Sequence, residues 1–155
     1  MLSLNKRGVT ILAIKKIYTA VGTATGGRGG GTAKTDDGKL DLVLATPVKL
    51  GGDGKGTDPD QLFALCHSSC FLGTIKFVNS KAKVPLVLAK ESSVTAHVSF
   101  GTRADKKGFG IEVKLEVSLP GVPKAKAAIL AKKAHVACAY SHAIRKNVKV
   151  TTKIV

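Results

Sequence analysis

The stretch FALCHSSCF, residues 63–71, sets Cys66 and Cys70 one helical turn apart with His67 between them, and the third cysteine, Cys138, lies far downstream. Four chemistries suit these residues. A disulfide between Cys66 and Cys70 is disfavoured, because successive turns of one helix hold their Cβ vectors parallel and away from the torsion a disulfide requires. Zinc has suitable donor atoms in Cys66, His67, Cys70, Cys138, His135 and His142, but their spacing matches no ribbon or finger pattern. Redox exchange between Cys70 and Cys138 needs two packed helices to bring the sulfurs within reach. The plainest alternative is that each thiol is a small buried hydrophobe, the commonest fate of a free cysteine. Residue types alone leave the last two open.

The elements that must position these thiols are legible in outline. Asp58 is a suitable N-cap, Pro59 sits at the first helical position, and Asp60 lies in the first turn, where the macrodipole favours negative charge. Apolar residues then recur almost all round, through Leu62, Phe63, Leu65, Cys66, Cys70, Phe71, Ile75 and Phe77, which predicts a central buried helix. PGVPKA opens a second helix that runs to about Cys138. Strands are predicted over 17–25, over KLDLVLATP, over 93–100, over 109–119 and in the closing NVKVTTKIV. Glycine loops, GGRGGG and GGDGKGT, follow the first two, and GTRADKKG has hairpin length. The order β-β-α-β-β-α-β predicts an α+β fold, two main helices on mostly antiparallel sheets.

Length and composition bound the class. A chain of 155 residues with 44% hydrophobic content is expected to form one globular domain. No apolar run approaches the roughly 18 residues of a membrane-spanning helix, so no membrane span is expected. Three cysteines do not make a secreted disulfide framework. Residues 1–14, MLSLNKRGVTILAI, match an organelle-targeting segment poorly, with one Arg and one Ser, and read as an untargeted extension before a domain at 15–155; a cytoplasmic location follows. The net charge of +15 attracts anions in general. Its lysines are scattered, there is no Trp and no groove-reading motif, so a solvated surface is favoured over a dedicated nucleic-acid site.

Four segments, in order, carry a family likeness: YTAVGTATGGRGG, LATPVKLGGDGKGTDPDQLFALCHSSCFLGTIKFV, GFGIEVKLEVSLPG and AHVACAYSHAIRKNVKV. Over residues 15–155 the chain resembles the organic hydroperoxide resistance proteins of the OsmC/Ohr superfamily. The resemblance rests on the Gly-Gly-Arg loop, the Gly-Thr-x-Pro-acid-Gln-Leu-Phe helix start, Ser-x-Cys-Phe and the later Cys-x-Tyr-Ser. It implies an intertwined homodimer and a thiol peroxidase reducing organic and fatty-acid hydroperoxides to alcohols without metal or haem. Cys70 would be the peroxidatic thiol, Cys138 the resolving one, and Arg28 and Asp60 would complete the site. Electrons would come from an external dithiol such as dihydrolipoamide on a lipoylated protein. Two other readings stand beside it: an OsmC-like protein acting on another peroxide or thiol substrate, and a basic nucleic-acid-binding domain without catalysis.

Elementary chemistry agrees with the resemblance. Peroxide cleavage needs a thiolate, burial opposes its formation, and a guanidinium such as Arg28 stays charged and can offset that cost. The sulfenic acid so formed is trapped by a second thiol. An apolar surround of Phe63, Phe71 and Leu72 would favour alkyl peroxides. Asp60 and Cys70, however, stand ten residues apart, roughly 15 Å along a straight helix. Either the helix breaks near residues 64–67, or Arg28 and Asp60 serve the Cys70 of a second copy; the second is favoured. Departures from the family pattern fall at Asp60, where Glu is usual, at Cys66 and His67, which replace a small residue and a tyrosine, and at Ala139, where proline is common. Cys66 reads as a passive packed thiol, His97 and His135 as surface or core histidines, and Tyr140, Ser141, Arg145 and Asn147 as support for the fold near Cys138.

Overall fold

The computed structural model describes residues 2–4 and 10–155; residues 1 and 5–9 of the expected N-terminal extension lie outside the described residues. Two compact units form, Met1–Gly56 and Thr57–Val155.

In the first unit, β1 (Leu2–Leu4) pairs antiparallel with β2 (Thr10–Leu12). A separate antiparallel meander joins β3 (Gly22–Thr25), β4 (Gly31–Thr35) and β5 (Asp41–Leu44). Strand β4, with sequence GTAKT, is absent from the sequence-based expectation, which read its start as loop. It is short and carries no alternation of apolar residues, so its pairing on both edges, not its composition, makes it a strand. The β3–β4 connection is a 3-10 turn over Gly27–Gly29 that carries Arg28. Its flanks demand glycine. Gly26 has φ 69°, Gly31 has φ 111°, and a Cβ at Gly31 would lie 2.0 Å from Thr25 O.

In the second unit, β6 (Ser93–Thr102) and β7 (Phe109–Ser118) form a ten-residue antiparallel hairpin, Ser93 opposite Ser118 and Thr102 opposite Phe109. The third strand, β8 (Val150–Ile154), pairs with the other edge of β7 in parallel, Val113 opposite Val150. That direction follows from the helical crossover, which returns the chain to the end of the sheet where β7 began. Along β7, Val113, Leu115 and Val117 turn inward while Glu112, Lys114 and Glu116 face the other side. Three helices complete the unit: α1 (Pro59–Ser80), α2 (Lys124–Ala137) and the short α3 (Ala139–Ile144). Phe71 and Ile75 of α1, the inward residues of β7, and Ala127, Leu130, Ala131 and Ala134 of α2 share one core with Cys138.

The start of α1 forms as expected. Asp58 accepts from the N–H groups of Asp60 (2.8 Å) and Gln61 (3.1 Å), and the Gln61 side chain accepts from Asp58 N–H (3.0 Å), a reciprocal capping box. The helix is not buried all round, which corrects the expectation. Its inward stripe is His67, Phe71, Ile75 and Asn79, whereas Leu65 (66%), Phe77 (57%) and Cys66 are exposed. Within its own unit, one face rests on the sheet and α2, and Leu65, Cys66 and Phe77 lie on the exposed side. By length and composition α1 is also long and apolar enough to cross a membrane, contrary to the sequence reading, because its polar residues are mostly uncharged. Here it is the central helix of an α+β unit, with His67 and Asn79 hydrogen-bonded inside that unit. At its far end Asn79 exchanges hydrogen bonds with the backbone of Leu86 and pins the connection to β6.

Candidate active site

Cys70 and Cys138 meet. Their sulfurs lie 3.5 Å apart, both thiols free. Cys70 sits in mid-α1, partly buried, and Cys138 is wholly buried at the junction of α2 and α3. That junction is a kink one residue long. Cys138 has extended backbone angles (φ −69°, ψ 124°), closing α2 with its N–H on Ala134 O and opening α3 with its carbonyl on His142 N–H. The second helix therefore ends where expected, while α3 is an addition that sequence patterning missed at six residues. Ala139 is the first residue of α3, the helical position that tolerates proline best, so either residue fits the turn. Arg145 donates to the carbonyls of His135 (2.6 Å) and Val136, satisfying the last turn of α2.

The opening of α3 turns N–H groups onto both sulfurs. Those of Ala139 and Tyr140 reach Cys70, and those of Tyr140 and Ser141, with the Ser141 hydroxyl, reach Cys138. The two thiols respond in opposite directions. Burial pushes the Cys70 thiol up, and its hydrogen bond with Cys138 adds to that, outweighing the two N–H donors. Burial also acts to raise Cys138, but the Ser141 N–H and hydroxyl, with Cys70 and Tyr140 N–H, overcome it and draw the thiol below its ordinary value. More donors converge on the deeper sulfur, so the surroundings favour the thiolate at Cys138 over the thiolate at Cys70.

Beside the pair lies a buried aromatic cluster. His67 stacks edge-on to Phe63 (centroids 5.8 Å) and Phe71 (6.3 Å), and Phe71 packs against His135 (4.5 Å). Phe71 is fully buried in the core against which Cys70 packs, and Phe63 remains partly exposed. Cys66 is exposed and bonds the Tyr140 hydroxyl, so it is not the packed thiol expected of it. The Tyr140 hydroxyl is pushed up by the neighbouring Cys66 sulfur first and by burial second.

The remaining expected site residues are placed as follows. Asp60 stands in the first turn of α1, which runs unbroken from Pro59 to Ser80. A helix break near residues 64–67 is thereby excluded, and Asp60 and Cys70 of one chain stay roughly 15 Å apart along the axis. Arg28 lies in the glycine turn of the first unit, where its carbonyl accepts from the Thr46 hydroxyl at 3.3 Å. Among the described residues, no group of three His, Cys, Asp or Glu side chains is placed to hold a metal ion. Sequence reasoning missed the part played by Ser141, His67 and His135. The signal available was a serine three residues after Cys138 and a histidine three before it, one helical turn to either side.

Comparison with known proteins places this arrangement. The family model described as OsmC-like protein matches residues 52–153. An organic hydroperoxide resistance protein of Xanthomonas axonopodis pv. citri is 46% identical over 138 residues, covering 88% of this chain and 94% of that protein. The crystal structure of an organic hydroperoxide resistance protein from Legionella pneumophila superposes with a TM-score of 0.82 at 40% identity, covering 90% of this chain and 98% of that one. The organic hydroperoxide resistance protein OhrB of Bacillus subtilis gives a TM-score of 0.79 at 34% identity, covering 90% and 100%. Likeness of this extent, running through both cysteine segments and the fold that joins them, makes the chain a member of the OsmC/Ohr family.

Proposed function

We propose that this protein is a cysteine-based peroxidase that reduces organic hydroperoxides to alcohols and so protects against oxidative stress. The observation that carries this reading is the approach of Cys70 and Cys138 to 3.5 Å as free thiols, one of them partly accessible and the other buried behind it. The names of the curated relatives support the substrate class.

The Cys70 thiolate attacks the terminal peroxide oxygen, the O–O bond breaks, and the alkoxide leaves with a proton as the alcohol. Cys70 is then a sulfenic acid. Cys138 attacks its sulfur, water departs, and a Cys70–Cys138 disulfide forms before further oxidation. Closing that bond asks the sulfurs to move from 3.5 Å to about 2.05 Å, within the reach of side-chain rotation. An external dithiol, dihydrolipoamide on a lipoylated protein, returns both thiols, so no resident cofactor is required.

The first step needs the anion on Cys70, whereas its own surroundings keep it protonated. A fixed cation resolves this, and we assign that role to Arg28, with Asp60 as its carboxylate partner. Because α1 is unbroken, the assembly we propose is a homodimer in which Asp60 serves the Cys70 of the second copy.

The test is a lipoamide-coupled peroxidase assay of the wild type, Cys70→Ser and Cys138→Ser. Turnover of cumene hydroperoxide is expected in the wild type and not in Cys70→Ser, while Cys138→Ser is oxidised without sustained turnover. Full activity in Cys70→Ser, or equal rates with hydrogen peroxide and cumene hydroperoxide, would sink the reading.

A further inference from the structure

Two imidazoles outside the assigned catalytic set converge on one hydroxyl beside the buried sulfur. Ser141 Oγ lies 3.3 Å from His67 Nε2 and 3.2 Å from His135 Nδ1, and it hydrogen-bonds Cys138. His135 Nε2 lies 2.7 Å from Thr152 Oγ1 on β8. A hydroxyl has one proton and two lone pairs. All three contacts are satisfied together when both imidazoles donate to Ser141 and Ser141 gives its proton to the sulfur. The outer partners agree with that direction. The Thr152 hydroxyl donates to His135 Nε2, which leaves Nδ1 as the protonated nitrogen. His67 Nδ1 is buried and finds no partner among the described residues; a bare acceptor there is better tolerated than an unpaired N–H, so the proton belongs on Nε2.

We propose that His67 and His135 are positioning residues that hold Ser141 as the donor to Cys138, making Cys138 the sulfur that leaves when the Cys70–Cys138 disulfide is reduced and directing the incoming thiol to Cys70. The inference rests on the redox pair of the preceding section and specifies how it is reset. A thiolate of an external dithiol attacks Cys70 Sγ and forms a new S–S bond. The Cys70–Cys138 bond breaks, its electron pair passes to Cys138 Sγ, and Ser141 stabilises the thiolate so formed. The second thiol of the reductant then attacks the mixed disulfide, releasing Cys70 as a thiolate and the reductant as its disulfide, oxidised by two electrons.

Exposure and leaving-group chemistry agree. Cys138 is 0% exposed and Cys70 is the reachable sulfur. A thiol whose anion is stabilised leaves faster. Among the described residues, the titratable and charged groups around Cys138 are Cys66, Cys70 and His67 on α1, His135 on α2, Tyr140 on α3 and Arg145 just beyond it; β7 offers apolar side chains at Val113, Leu115 and Val117. Both imidazoles are held below the ordinary histidine value, His67 by burial and then by His135, His135 by burial and then by Arg145. Both therefore stay neutral and keep the stated donor pattern near neutral pH.

The test begins with the full-length wild-type protein, oxidised with diamide so that no peroxide is involved. It is treated briefly with 2-mercaptoethanol, quenched in acid, and peptide-mapped by mass spectrometry. The mixed disulfide is expected on Cys70. Reduction by dithiothreitol is expected to slow about tenfold in Ser141→Ala, the effect of losing one hydrogen bond to a charged group, and to slow also in His67→Phe. In a Cys70→Ser background, ultraviolet titration of the Cys138 thiolate moves upward when Ser141→Ala is added. An adduct on Cys138 overturns the proposal. So does a Ser141→Ala protein with unchanged reduction rate and titration. The adduct position is read on the wild type, so a folding defect in either variant leaves the test standing. Absent hydroperoxide turnover with the adduct still on Cys70 would count against the peroxidase reading alone.

Discussion

At the scale of single residues, the site is governed by where protons reside. His67 is buried with one nitrogen bonded to Ser141 and the other without a partner among the described residues, and burial lowers its pKa from 6.5. The unfolded chain therefore binds a proton at His67 more readily than the folded one. The stability this contributes is fully present above pH 6.5 and is lost as the pH falls below it. His135 adds to the same slope, since burial and Arg145 lower its pKa as well. Urea unfolding midpoints are expected to fall as the pH is taken from about 7.5 to about 5.5. His67→Phe should flatten that dependence, and a wild-type midpoint that rose on acidification would contradict the sign. His67 thus couples the fold around Cys138 to pH.

At the scale of elements, two local devices set the catalytic candidates in place. The capping box at Asp58 fixes the start of α1, and the one-residue kink at Cys138 aims the opening N–H groups of α3 at both sulfurs. The glycine turn before β4 does the same for Arg28. A Cβ at Gly31 would meet both a positive φ and the Thr25 carbonyl. Gly31→Ala is expected to lower stability by roughly 1–3 kcal/mol from the backbone angle alone, more once the clash is added. It should also reduce peroxidase activity by disturbing Arg28, with urea unfolding and the coupled assay as readouts. A variant as stable and active as the wild type would show that the turn does not depend on glycine.

At the scale of the whole molecule, the unbroken α1 makes cooperation between copies the central question. Chains carrying Arg28→Ala and Cys70→Ser, each expected to be inactive alone, are expected to form mixed dimers that each have about half of wild-type activity. A site that takes Cys70 from one chain and Arg28 from the other is then complete once in each mixed dimer. No recovery, with mixed dimers confirmed by mass spectrometry, would mean that each chain supplies its own arginine.

Much of this was already determined by the sequence. The Asp58–Gln61 cap, the end of the second helix at Cys138 and the alternation of Val113, Leu115 and Val117 depend on neighbours within a few positions, so local pattern suffices to read them. The family motifs likewise mark Cys70 and Cys138. Strand β4 and helix α3 escaped because they are too short and too mixed in composition to show a period. Only the tertiary structure decided which face of α1 is covered, the parallel pairing of β8, and the company Cys138 keeps. Ser141 meets His67 across 74 positions and Cys70 meets Cys138 across 68. Such meetings are products of helix packing on a sheet, and no window of neighbouring residues encodes where two helices will cross.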